Sequence, residues 1–440
     1  MGLLSDDARR EQLIYSVVFG IACIIFLAAV AVLNIESEVM RDRFANAEDM
    51  LNGNLHTLEY PPLVLVLIVI PRIFASTPFA YSIGFVAEMF VFFVIGLLVI
   101  SKLAKKYNRD EKAYMLAYTV LVLLMTEFAI DRFDIVPAIL SLAAVYCFVT
   151  KRYVLAFVLL SMGTMIKLYP AVLFPIFLIP FIMNRNWKKV LKCTAVFVIA
   201  SLAVVIPVMI LQPDLLSETI MYHADRPLQI ESLPSSFIYP FGMLGITAVT
   251  IIGVAASGFG SDDLVGGWAD GAATVMMPLM IISIVTVYVL YAYALKKIKG
   301  TGTGNDRLYL FANAILLSVM LFIMIGKVFS SQYLLWIIPP LLFVFMVSDD
   351  AKWGRTVFIL FAVILALTQL QFAYNVGYLG GGENINDLGM MLILVRNILM
   401  VVLLYLIVRP VYVRFFSSGR PSGTPVCEDN NHDDARRPHL

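Results

Sequence analysis

Residues 79–109 read F-A-Y-S-I-G-F-V-A-E-M-F-V-F-F-V-I-G-L-L-V-I-S-K-L-A-K-K-Y-N-R. From Phe79 to Leu103 the only charged residues are Glu88 and Lys102. At about 1.5 Å per residue, a helix of this length crosses the roughly 30 Å hydrocarbon core of a bilayer. The run closes on Lys102, Lys105 and Lys106. Lysine and arginine collect on the cytoplasmic side of a membrane. The helix therefore runs inward, and the chain just before Phe79 is expected outside.

That orientation constrains both flanks. Upstream, the apolar run Pro61–Ala75 is too short to cross. It is expected as a helix lying at, or dipping into, the outer face. The first span covers about Leu13 to Leu33. It is expected to stay uncleaved, because M-G-L-L-S-D-D-A-R-R-E-Q is too acidic for a signal peptide and no small-residue cleavage site follows. Downstream, apolar runs at about 112–130, 135–150, 153–168, 170–184, 190–211, 272–295, 308–326, 333–347, 356–375 and 389–408 alternate in direction by the same charge rule. The run 237–257 would invert the rule if it crossed, so it is expected as a second non-crossing element or hairpin outside.

The expected fold is therefore all-α and polytopic. It has about twelve transmembrane helices, re-entrant or juxtamembrane helices on the outer face, and both termini inside. Residues 1–12 form a cytoplasmic N-terminus, 13–416 the transmembrane domain, and 417–440 a disordered cytoplasmic tail without apolar periodicity. Composition agrees. The chain of 440 residues is 60% hydrophobic and 14% charged, against about 45–50% and about 25% in soluble domains. Net charge is +1 and no basic cluster interleaves with aromatics, so nucleic acid is not an expected partner. The four cysteines and four histidines show no metal-ligand spacing, and no metal or other cofactor is expected from them.

The unusual polar groups gather on the outer side. The first outer loop, residues 34–62, carries Glu36, Glu38, Asp42, Glu48, Asp49 and Glu59 against Arg41 and Arg43. The same face receives Glu127, Asp131, Arg132, Asp134, Lys167, the second outer loop at 212–236 with His223, Arg226 and Glu231, and Lys327 with Gln332 and Tyr333. Each has a plainer reading: an interfacial salt bridge, a snorkelling lysine, a solvated loop or a boundary anchor. Their shared side is what favours function. Glu88 and Arg396 sit deeper, at similar depth in their helices, and are expected to pair.

Group transfer from a lipid phosphate needs cations for the leaving phosphate, a carboxylate to take the acceptor's proton, and a groove open to lipid. Arg132, Lys167, Arg226 and Lys327 suit the first role, and Glu38, Asp42 and Glu59 the second. No Walker loop or G-x-G-x-x-G is present, which disfavours a soluble nucleotide donor.

The segments E-Y-P-P-L, R-F-D-I-V-P-A, K-L-Y-P-A-V-L-F-P, H-A-D-R-P-L-Q-I-E-S and F-S-S-Q-Y-L-L-W-I-I-P-P, in this order, resemble glycosyltransferase family 87, membrane transferases of the GT-C fold. The resemblance implies inverting transfer of a sugar, typically mannose, from a polyprenyl-phosphate donor to a lipid or glycan acceptor, at the extracytoplasmic face of the cell membrane. It places the base on Glu38 or Asp42. It implies substrate contacts from Glu59, Tyr60, Arg132, Asp134, Lys167, Tyr169, His223, Arg226, Glu231, Lys327, Gln332 and Tyr333. The family's Pro-Tyr-x-Asp step is replaced here by L-H-T-L with His56, a departure that bears on Glu59 and the acceptor side. A phosphate-bridging divalent ion, weakly bound through Asp134 or Glu231, stays open. So does a different class of protein, a transporter or flippase of lipid-linked sugars; that class favours midplane polar residues and internal repeats.

Overall fold

The computed structural model describes residues 38–53, 60–253, 259, 261–375 and 387–417. The expected first span, the N-terminus, Glu59 and the tail beyond Ser417 lie outside the described residues, as does the side chain of Glu38.

The chain is a helical membrane protein. Among the described residues six helices are long and apolar enough to cross a bilayer. These are α3 (Pro78–Lys106), α9 (Trp187–Leu211), α12 (Trp268–Lys297), α13 (Gly304–Met324), α15 (Ala351–Asn375) and α16 (Asp387–Phe415). Between them lie the shorter α4 (Glu111–Leu123), α5 (Thr126–Asp131), α6 (Ile135–Val149), α7 (Tyr153–Thr164), α8 (Phe174–Met183) and α14 (Ile338–Val347). Tyr169–Leu173 and Ser331–Trp336 are 3-10 turns that lead into α8 and α14.

α13 is the central pillar. A reciprocal capping box between Thr303 and Asp306 starts it, and most of its length is buried. α9 and α12 are the opposite case: they present Ile199, Ile210, Leu211, Ile282 and Val289 outward. Such a belt of exposed apolar side chains is costly in water and ordinary against lipid. Gly96 lets α3, α4 and α6 approach closely, because a Cβ there would run into the Tyr118 hydroxyl and Ile139.

Among the described residues neither disputed run forms a helix long enough to span. Within 61–75, α2 (Val64–Phe74) has 11 residues, about half a bilayer. Within 237–257, α11 (Leu233–Met243) ends after 11 residues in a turn at Gly245. Strands on both sides of α11 form a small antiparallel sheet, ordered β1 (Leu228–Gln229), β3 (Asp263–Val265), β2 (Thr250–Ile252). These strands are too short for the alternation that announces a strand in sequence.

The loop expected first on the outer side also differs from a plain loop. It holds α1 (Glu38–Leu51), whose buried face is Met40, Arg43 and Ala47. Arg72 of α2 staples it, lying 4.8 Å from the Phe44 ring centroid and 3.5 Å from Glu48.

The polar contacts fall at two ends. One end joins Arg109 to the Met346 and Ser348 carbonyls and Asp349, Arg414 to Asp306, and Lys297 to the Phe415 carbonyl. The other gathers α1, the Asp131–Asp134 turn, Lys167, β1–β3 and the 327–333 segment.

The expected Glu88–Arg396 pair is not formed. Arg396 is fully buried and bonds instead to Glu231, with Nη1 3.0 Å from Oε2 and Nη2 2.7 Å from the backbone oxygen. Similar depth did not make the two residues neighbours. α16 packs on α11, α13 and α15, whereas α3 packs on α2, α4 and α6. The counter-charge dips in from a loop, which helix-depth reasoning could not locate.

Candidate functional site

The site is assembled around Lys167. This residue follows α7, and its backbone N–H donates to the Gly163 carbonyl. The side chain is buried. Its Nζ lies 2.7 Å from Asp134 Oδ1, and the Trp336 indole N–H donates to the same oxygen at 2.9 Å. Asp134 stands just before α6, where the positive end of a helix favours a carboxylate. The ammonium is also boxed by rings. Its Nζ is 4.8 Å from the Tyr333 centroid, 5.1 Å from Tyr60, 5.2 Å from Trp336 and 5.4 Å from Phe133. Cation–π contacts of this kind contribute about 0.5–2 kcal/mol each. Trp336 is itself held between Tyr169 and Tyr333, with centroids 4.1 and 4.0 Å away and rings nearly parallel.

Local backbone contacts bring these pieces together. The Leu63 N–H donates to the Met165 carbonyl at 2.8 Å, which docks the E-Y-P-P segment against the end of α7 and puts Tyr60 over Lys167. Arg43 of α1 is buried, donates to the Asp131 carbonyl, and lies over the rings of Phe85 and Phe133. Phe133 thus carries one cation from the first loop and one from the Lys167 turn.

The 212–236 segment closes the other side. It begins in α10 (Leu215–Asp225), which carries His223. Arg226 is buried, and its Nη2 donates to Ser261 Oγ at 2.8 Å; Ser261 donates in turn to Asp263. Lys327 Nζ donates to the Ala224 carbonyl at 2.8 Å, while the Gln229 N–H donates to the Lys327 carbonyl. Gln229 Nε2 donates to Ser330. Burial pushes the Lys327 ammonium below its ordinary value; Asp225 opposes that shift and Arg226 adds to it.

Between these walls lies a cavity of about 220 Å³. Lys167, His223, Arg226 and Lys327 line it together with Tyr60, Tyr169, Tyr333 and Trp336, and its lining holds no Asp or Glu. It adjoins an almost wholly apolar groove of about 330 Å³, walled by Pro62, Leu168, Val205, Val208, Met209 and Ile220. Tyr60, Pro61, Leu168, His223 and Met277 line both.

Seven residues singled out from sequence therefore meet in one cavity: Tyr60, Lys167, Tyr169, His223, Arg226, Lys327 and Tyr333. Asp134 stands behind Lys167. The others are placed differently. Glu231 is turned to Arg396 and Ser331. Arg132 lies 3.7 Å from Asp131 and is outside the lining, as is half-buried Gln332. Asp42 is exposed on α1, away from its buried face. Asp134 and Glu231, the two residues through which the sequence leaves a divalent ion open, each face a cation. Among the described residues no three His, Cys, Asp or Glu side chains cluster to hold a metal. Trp336 and Arg43 were not singled out beforehand. Trp336 closes the motif F-S-S-Q-Y-L-L-W, and that was its available signal; Arg43 looked like one more charge in a solvated loop.

No curated protein matches the chain. The family model described as glycosyltransferase family 87 matches residues 58–324, more than half of the sequence and most of the segments that build the cavity. The chain is a membrane glycosyltransferase and belongs to glycosyltransferase family 87.

Proposed function

We propose that this glycosyltransferase moves a sugar, mannose in the first instance, from a polyprenyl-phosphate donor to a lipid or glycan acceptor at the outer face of the cell membrane, with inversion, on a GT-C scaffold. The observation that carries this reading is the junction of two unlike spaces: a cation-lined cavity free of carboxylates and an apolar groove that shares five residues with it. A phosphate head and an isoprenoid tail have these two needs.

In the proposed step the acceptor hydroxyl attacks C1 of the sugar. Glu38 or Asp42 takes its proton, and the bond from C1 to the phosphate oxygen breaks. Polyprenyl phosphate leaves with the electron pair. Cations prearranged around the departing phosphate stabilise the charge that develops there, the larger part of many transfer catalyses. Lys167, Arg226 and Lys327 fill that role. Asp134 holds Lys167 in position by pairing with it, and all three cations line the cavity.

The test is direct. Purified protein in lipid is given radiolabelled polyprenyl-phosphate mannose and a crude lipid and glycan extract. Label should pass to an acceptor and polyprenyl phosphate should appear. Transfer from a nucleotide sugar, with none from any polyprenyl-phosphate sugar, would sink the donor assignment. Movement of intact donor across vesicles without transfer would favour the flippase class.

A further inference from the structure

A second cavity lies at the far end of the bundle. It is built by three separate turns: the one joining α6 to α7, the one before α9, and the one joining α12 to α13. One lobe, of about 170 Å³, is lined by Lys189, Lys299 and Arg307 with Asn184 and Asn186. The adjoining lobe is lined by Lys151, Arg152 and Lys192 and shares Tyr153 and Lys189 with the first. Six cationic side chains therefore converge, and neither lobe includes an Asp or Glu. Among the described residues none of the six forms an ion pair. Lys189 is held over the rings of Tyr153 and Phe181, 4.9 and 5.5 Å from their centroids.

Its depth is fixed by α13. Arg307 stands in the first turn of that helix and Lys327 just beyond its last. Twenty-one residues span about 30 Å, the thickness of a bilayer core. The six cations thus sit at the headgroup level opposite the candidate site. Val154 and Leu155 of the second lobe are exposed, as is Leu191, the neighbour of Lys192 in the chain. Cations at headgroup level, next to outward apolar side chains, match a ligand with a phosphate head and acyl chains.

We propose that this cavity binds the phosphate headgroup of an anionic membrane lipid, with its chains against the Val154–Leu155 and Leu191 surface. The site is separate from the transfer chemistry, and the proposal does not rest on the donor assignment.

The experiment uses the full-length protein released from mixed micelles of phosphatidylglycerol and phosphatidylcholine and read by native mass spectrometry. Phosphatidylglycerol should be retained in preference to phosphatidylcholine. Lys189→Gln with Arg307→Gln should weaken that retention about thirtyfold, as expected for removing two headgroup cations. Lys189→Arg with Arg307→Lys keeps the charge and should retain the lipid, which separates a binding loss from a folding loss. Millimolar inorganic phosphate should not displace it. Equal retention of both lipids, or retention unchanged in the double glutamine variant, overturns the proposal. Displacement by inorganic phosphate at the same concentration as by lipid reassigns the cavity to free phosphate and overturns the lipid claim.

Discussion

Lys167 and Asp134 form a buried ion pair, 2.7 Å from Nζ to Oδ1, and the Trp336 indole shares the carboxylate oxygen. Two charges taken out of water hold each other in place, so removing either leaves the other uncompensated.

Replacing Lys167 by Met should therefore destabilise the protein by about 3–5 kcal/mol. Adding Asp134→Leu should restore much of that loss, because the stranded carboxylate goes too. Thermal unfolding in detergent checks this. Transfer should stay absent in the double variant, since its cavity lacks one of three cations. Recovery of transfer along with stability would remove Lys167 from the phosphate site.

A double-mutant cycle distinguishes the observed partner of Arg396 from the expected one. Glu231→Gln with Arg396→Leu should show a coupling energy above about 1 kcal/mol, as residues in one buried network do. Glu88→Gln with Arg396→Leu should be additive within about 0.5 kcal/mol. Strong coupling in the second cycle would restore the sequence-based pairing.

Lys327 makes binding and stability respond to pH with opposite signs. Burial disfavours its charged form, so its folded pKa lies below the ordinary 10.5. Between the two values the unfolded chain holds more protons, and stability rises with pH across that window. Binding of the proposed donor, polyprenyl phosphate, should go the other way, because it is the charged ammonium that attracts phosphate. Affinity should fall on the alkaline side at a pH below that of an ordinary lysine. Lys327→Arg should move the fall upward. Affinity titrations at several pH values test it, and an unshifted fall in the arginine variant assigns the titration elsewhere.

The first-loop base can be separated from folding. Asp42 is exposed, so Asp42→Asn should leave the unfolding temperature nearly unchanged. If it is the base, kcat should drop about 10²–10⁴-fold with little change in KM. The same measurement on Glu38→Gln decides between the two carboxylates. Full activity in both variants would remove the base from this loop.

Gly96 offers a packing test. Gly96→Val would force Tyr118 and Ile139 apart where α3, α4 and α6 meet. Overpacking of this kind costs about 1–3 kcal/mol. Adding Tyr118→Phe removes the clashing hydroxyl and should recover part of it in the same unfolding assay.

Much of this architecture was readable because a bilayer imposes length and charge rules on each segment independently. Phe79–Leu103 needs only its own 25 residues and three lysines to be read, and the non-crossing status of 61–75 and 237–257 follows from lengths and flanks. The cavity residues were readable as a set because Lys167, Arg226 and Lys327 fall on one side by those same rules. What was not readable depends on pairing between distant segments. The Arg396–Glu231 bond, the Arg43 contact with the Asp131 carbonyl and the three short strands are set by how loops settle on a finished bundle. No period within a segment encodes them.

Among the described residues of α9, Cys193 alone is buried, and Val205, Val208 and Met209 of the same helix wall the apolar groove. The groove is thus screened on that side by a single helix. The long isoprenoid of the proposed donor, if held there, would lie broadside along its flank and would not have to be drawn through a tunnel end first. Turnover should then be insensitive to isoprenoid length once the chain outruns the groove, and one enzyme can serve donors of mixed length without sorting them.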